Sequence, residues 1–222
     1  MDVSNEQVRQ ALLSLVAFVL SVSFHEFGHA FVADRLGDGL PRAEGRVSLW
    51  PWRHIDPMGT IVVPLLAAFA VGVPLIAWGK PVRTNPAAMT KGFSPTVNYL
   101  IVSLAGPVMN LLFAVAASAG LLLASRAGHV SPEVAAAVVQ FLIVLNLTLM
   151  FFNLLPIPPL DGASILGVLL PASMAGVLRT LYRYGILLLL IVFATPVGGF
   201  LMRPVNRLAH AWSAFVLGMV LG

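Results

Sequence analysis

The chain alternates long apolar runs with short polar, turn-rich stretches. Six apolar segments stand out, at roughly 8–33, 58–78, 97–124, 134–156, 184–202 and 205–221. Most approach the ~20 residues that a helix needs to cross a bilayer. No repeat, low-complexity tract or long linker separates them, so the pattern predicts one domain over 1–222. Between the first two segments lies RLGDGLPRAEGRVSLWPWRHIDPMG, whose alternating Arg46–Trp50 predicts a short strand. Between the second and third lies GKPVRTNPAAMTKGFSP, punctuated by proline and glycine as a loop. The fourth ends in PIPPLDGAS, too rich in proline to continue as helix.

Composition sharpens this into an α-helical polytopic membrane protein of about five to six membrane helices. Of 222 residues, 59% are hydrophobic and only 10% charged, and the mean hydropathy is +0.92, whereas soluble domains carry about 25% charged residues. The net charge of +4 does not point to nucleic acid, since no basic run carries interleaved aromatics. Cysteine is absent, which removes disulfides, thiolate ligands and a cysteine nucleophile. The N-terminus, MDVSNEQVRQ, has neither the charged region nor the small-residue site of a removable signal peptide.

The second segment contains Pro64, Gly72 and Pro74, so it either crosses the bilayer or re-enters and returns. Crossing divides the basic residues evenly. Re-entry puts Arg35, Arg42, Arg46, Arg53, Lys80, Arg83, Lys91, Arg179 and Arg183 on one side, against Arg9, Arg126, Arg203 and Arg207. The positive-inside rule then favours re-entry of 58–78, with the larger group cytoplasmic and the N-terminus outside.

Candidate chemistry sits in the first segment, where SVSFHEFGHAFVAD places His25, Glu26 and His29 in an otherwise apolar helix. Titratable groups inside a bilayer are costly and mark function. His25 and His29, spaced i and i+4, stack on one helical face. Two such imidazoles can hold one Zn²⁺, with Glu26 as the base beside it. By composition, HExxH arises by chance in roughly two such chains per thousand. A catalytic zinc takes three protein ligands and leaves a position for water. Without cysteine, the third is His, Asp or Glu. Other acids and His129 and His210 lie in loops or near the ends, leaving His54, Asp56 and Asp161. Asp161 is favoured, because the prolines before it unwind the chain where a long apolar run ends. Asp56-Pro57 with Gly59 reads as a turn that launches the second segment.

HEFGH, AGPVMN (105–110), NLLPIPPLDG (153–162), RHIDPMGT (53–60) and WGKPVRTNP (78–86) together resemble the site-2 protease family of intramembrane zinc metalloproteases. The chain is most similar to short bacterial members without added soluble domains. That resemblance implies one zinc per chain, held by His25, His29 and Asp161, with Glu26 as general base and Asn153 supporting the oxyanion. It places Asn110 behind the ligands and Ala163 where members often carry a second glycine. His54 is expected to support a ligand or bind substrate. The resemblance further implies parallel helices carrying HExxH and the aspartate, a site nearer the cytoplasmic side of the cell membrane, and a membrane-dipping β element near 44–52. The catalytic core would be about 8–163, with accessory helices about 179–221. The substrate would be a membrane protein with a transmembrane helix, met in the lipid bilayer. Other readings of the same residues are a metal transporter, a different membrane zinc protease and an inactive scaffold.

Overall fold

The computed structural model of the chain describes residues 5–64 and 77–221. Its long elements are α1 (Asn5–Arg35), α2 (Leu40–Ala43), α3 (Pro95–Arg126), α4 (Pro132–Asn153), α5 (Asp161–Leu169), α6 (Ala175–Ala194) and α7 (Pro196–Leu221). Four stretches are long and apolar enough to cross a membrane: Val8–Arg35, Pro95–Arg126, Pro132–Asn153 and Ala172–Ala194. The chain forms two compact units, residues 1–106 and 107–222.

In the first unit, α1 carries two faces that helical periodicity sorts. Leu12, Leu13 and Val16 are exposed, while Ser21, Val22, His25, His29, Ala30 and Ala33 are buried. An apolar exposed face is unfavourable in water and suits hydrocarbon. Ala33 packs with Met89 and Val102, anchoring the start of α3 on α1. Asn98 organises the loop before α3. Its amide faces the carbonyls of Met89, Lys91 and Phe93 at 2.8–3.2 Å, and its oxygen accepts from the Phe93 N–H.

The strand expected near 44–52 is not formed, and no strand occurs among the described residues. Local turn bonds consume the N–H groups that a ladder would need. Arg46 N donates to Pro41 O, Ser48 N to Arg46 O and Trp50 N to Ser48 Oγ. Pro51 then opens a 3₁₀ turn over Pro51–Arg53. Residues 77–85 carry no helix or strand and are bonded one residue at a time to the rest of the unit. Trp78 N donates to Gly59 O at 3.1 Å and Lys80 N to His54 O at 2.8 Å. Asn85 N donates to Asp38 Oδ2 at 2.5 Å, so Asp38 is buried rather than a solvated loop acid.

Asp56 does form the expected turn. Its side chain accepts from Gly59 N and caps a π-helical turn, Pro57–Val62. The re-entrant reading of 58–78 falls largely on residues 65–76, outside the described ones. Its two described ends meet: besides the Trp78–Gly59 bond, Thr60 Oγ1 donates to Trp78 O at 2.7 Å.

In the second unit, Val139, Ile143 and Leu147 of α4 pack on Val205, Ala209 and Val216 of α7, with Leu111 and Leu121 of α3 against them. Polar ties accompany this core. Asn110 Nδ2 donates to Asn146 Oδ1 at 3.0 Å, and Arg126 Nη2 to Met219 O at 3.2 Å. The last two apolar segments divide elsewhere than MRPVNR. The break is Thr195, extended at φ −117° and ψ 165°. A residue before proline avoids the helical region, and proline suits the first helical position. Pro196 therefore starts α7, and Pro204 lies inside it. Of the five to six membrane helices expected, four stretches qualify among the described residues, and the second apolar segment lies largely outside them.

Candidate metal centre

Helix α1 builds the first half of the site. The i, i+4 spacing brings His25 and His29 ring to ring, with centroids 4.8 Å apart and planes at 82°. Their Nε2 atoms are 3.1 Å apart. Two nitrogens on one tetrahedral zinc, each at 2.0–2.1 Å, stand about 3.3 Å apart. His29 Nδ1 lies 2.7 Å from the Val102 carbonyl of α3. A carbonyl only accepts, so Nδ1 carries the proton and Nε2 the lone pair, the tautomer that binds metal.

Gly106 closes this pocket from α3. A Cβ at Gly106 would overlap Nε2 of both histidines. The missing side chain is the space that lets two ligand nitrogens converge beside a helix. The donor chemistry and this cradle fit a zinc ion.

Glu26 lies beside the pair, its side chain 12% exposed. Its Oε2 accepts from the Val82 amide of the 77–85 segment at 3.0 Å. Arg46, only 2% exposed, approaches the same oxygen at 3.8 Å. The Arg46 fork donates through Nη1 to Arg53 O and through Nη2 to Lys80 O. Burial pulls the Arg46 guanidinium below its ordinary pKa, against the opposing pull of Glu26 and Glu44.

His54 is fully buried, and its Nε2 lies 2.6 Å from Ser48 O. Burial lowers its pKa, outweighing the Ser48 carbonyl, and Arg46 adds to the lowering. The ring is therefore neutral and donates to Ser48, bracing the loop between α1 and the π-helical turn.

The other expected residues belong to the second unit. Asp161 is the first residue of α5, rather than a turn residue ending the helix before it. Gly162 behind it packs so tightly on the Leu154 and Leu155 carbonyls that a Cβ would overlap them. Asn153 ends α4, one of its amide hydrogens directed at Leu149 O at 2.9 Å. Asn110 is buried against Asn146 and ties α3 to α4.

Reading by motif missed Arg46, Val82 and Asn146. Asn146 had a signal, as a polar residue inside FLIVLNLTLM. Arg46 and Val82 had none, because the bonds that matter join loops 34 and 56 residues apart.

The chain is similar to known proteins along most of its length. The model of peptidase family M50 matches residues 123–194. YwhC of Bacillus subtilis is 34% identical over 194 residues, covering 86% of this chain and 84% of that protein. Rip2 of Mycobacterium tuberculosis is 35% identical over 189 residues, covering 83% of this chain and 68% of the relative. Rip2 of Mycolicibacterium smegmatis is 33% identical over the same length. All three are named as zinc metalloproteases. No solved structure matches the chain. With the HExxH histidines converging on an apolar helix, the chain belongs to peptidase family M50, the site-2 proteases, as a multi-pass membrane zinc metalloprotease.

Proposed function

We propose that the chain is an intramembrane endopeptidase that hydrolyses peptide bonds within or near transmembrane segments of other membrane proteins. The observation that carries this is the convergence of His25 and His29 Nε2 on Gly106, with Glu26 alongside, in a helix whose opposite face is exposed and apolar. His25, His29 and Asp161 would hold one zinc per chain. When bound, zinc supplies Lewis acidity, lowering the pKa of a water and polarising a carbonyl.

The residues do the rest. Glu26, held by the Val82 amide, takes a proton from the attacking water and passes it to the amine leaving group as the C–N bond breaks. Asn153 spends one amide hydrogen on Leu149 O and offers the other to the developing oxyanion. Loss of such a donor lowers the rate by about 10²–10³-fold. His54 supports the polar loops from behind without ligating. Residues about 8–163 form the catalytic core, and those about 179–221 are accessory.

The topology follows the same reading. Re-entry of 58–78 is supported by the bonds joining Gly59 and Thr60 to Trp78, since a segment whose ends touch returns to the side it left. Nine basic residues then lie in the cytoplasm with the active site nearer that side, and the N-terminus is outside. The polar loops around 36–57 and 77–94 admit water.

Zinc content of purified wild type, His25→Ala and Asp161→Ala tests the ligand set. About one zinc per chain, lost or weakened in both variants, supports it. Full zinc in Asp161→Ala removes Asp161 from the set. Glu26→Gln should keep zinc and abolish cleavage of a fluorescently labelled single-span helical peptide in liposomes. Cleavage at the wild-type rate by that variant would rule out Glu26 as base.

A further inference from the structure

We propose that Arg46 is the positioning residue for the catalytic carboxylate, an inference that rests on Glu26 being the general base. Taking a guanidinium out of water is costly, and the cost is offset only when its hydrogen bonds are well placed. Arg46 is 2% exposed and directs its fork at two carbonyls on different segments. Nη1 donates to Arg53 O in the 3₁₀ turn of the first polar loop, and Nη2 to Lys80 O in the 77–85 segment. Two residues further along that segment, the Val82 N–H donates to Glu26 Oε2 at 3.0 Å. The same Nη2 lies 3.8 Å from that oxygen. Arg46 thus locks the 77–85 segment in the register that delivers the Val82 amide to the carboxylate, and adds a positive charge behind it.

The planar guanidinium makes this possible. Its fixed fork spans two acceptors, whereas a lysine ammonium is a point donor on a flexible stem. The Lys80 N–H also donates to His54 O, holding the segment near this point. Without the fork, the amide that orients Glu26 loses its register while the histidine pair, fixed by α1 and Val102 O, stays in place. Arg46 therefore governs the chemical step and leaves metal binding intact.

Arg46→Ala and Arg46→Lys, as full-length chains in detergent micelles, test this with two independent readouts. The first needs no substrate: amide hydrogen exchange over 77–85 should accelerate at least tenfold in Arg46→Ala, with α1 and zinc content unchanged. The second is cleavage of the labelled single-span peptide. There kcat should fall about 10²-fold, the loss that a misplacement of about 1 Å can bring, with KM within twofold. Arg46→Lys should recover part of both. Val82→Pro, which removes the amide hydrogen, should lower kcat similarly, and the double variant should lose little more than either single one. Unchanged exchange over 77–85, loss of zinc, a change in KM alone, or additive losses in the double variant would each overturn the proposal. If the wild type fails to cleave any such peptide, the protease reading fails, while the exchange data still decide whether Arg46 holds the segment.

Discussion

At the scale of single residues, what shapes the metal centre most sharply is an absence of atoms. Gly106 faces the Nε2 atoms of His25 and His29 where any Cβ would overlap them. Gly106→Ala should therefore lose zinc although α3 is otherwise a good site for alanine. We expect affinity to fall at least 10–100-fold, the range found when groups that orient ligands are removed. Competition with a chromophoric chelator measures it, and wild-type affinity in Gly106→Ala would mean that α3 moves away at no cost. Asn110 poses the opposite case. Its partner is Asn146, so Asn110→Leu paired with Asn146→Leu removes a hydrogen bond that averages ~0.6 kcal/mol between membrane helices. The double variant should keep its zinc and nearly all its stability. A 10-fold loss of zinc affinity would return Asn110 to the surroundings of the metal.

Among elements, helices were legible where one periodicity dominates. The apolar length and the polar interruption at His25, Glu26 and His29 announce α1 and the face that its histidines share. The apolar run ending at Asn153 and the prolines beyond it likewise announce the end of α4. The alternating Arg46–Trp50 misled, because alternation predicts a strand only where a neighbour offers a ladder. Here the N–H groups of Arg46, Ser48 and Trp50 find acceptors within five residues. Segment 77–85 gave no pattern, since its conformation is imposed by partners remote in sequence. The same holds for Asn98, whose amide gathers three loop carbonyls. Asn98→Ala leaves those carbonyls without their donor, at 1–3 kcal/mol for a buried group left unmet. We expect the melting temperature to fall and exchange to rise over 85–94. An unchanged melt would show that water replaces the amide there.

For the whole molecule, acidity and sidedness are the accessible tests. His54 is buried with its pKa lowered by burial, so the unfolded chain binds its proton more readily than the folded one. Stability is fully present above the ordinary histidine value of about 6.5 and declines as pH falls below it toward the lowered folded value. His54→Asn should flatten that decline in thermal melts between pH 7 and 5, and an equally steep decline would assign it to other groups. Sidedness can be read directly because the chain has no cysteine, so single introduced thiols report without background. Arg42 and Lys91 flank the 58–78 segment on its two sides in sequence, and His129 lies beyond α3. All three are exposed. If 58–78 returns to the side it left, Arg42→Cys and Lys91→Cys react with a membrane-impermeant maleimide from the same face of oriented vesicles, and His129→Cys from the other. If the segment crosses, Arg42→Cys and Lys91→Cys label from opposite faces. The hydrogen bonds between Gly59, Thr60 and Trp78 make same-side labelling the expected outcome, with the cytoplasmic face reacting.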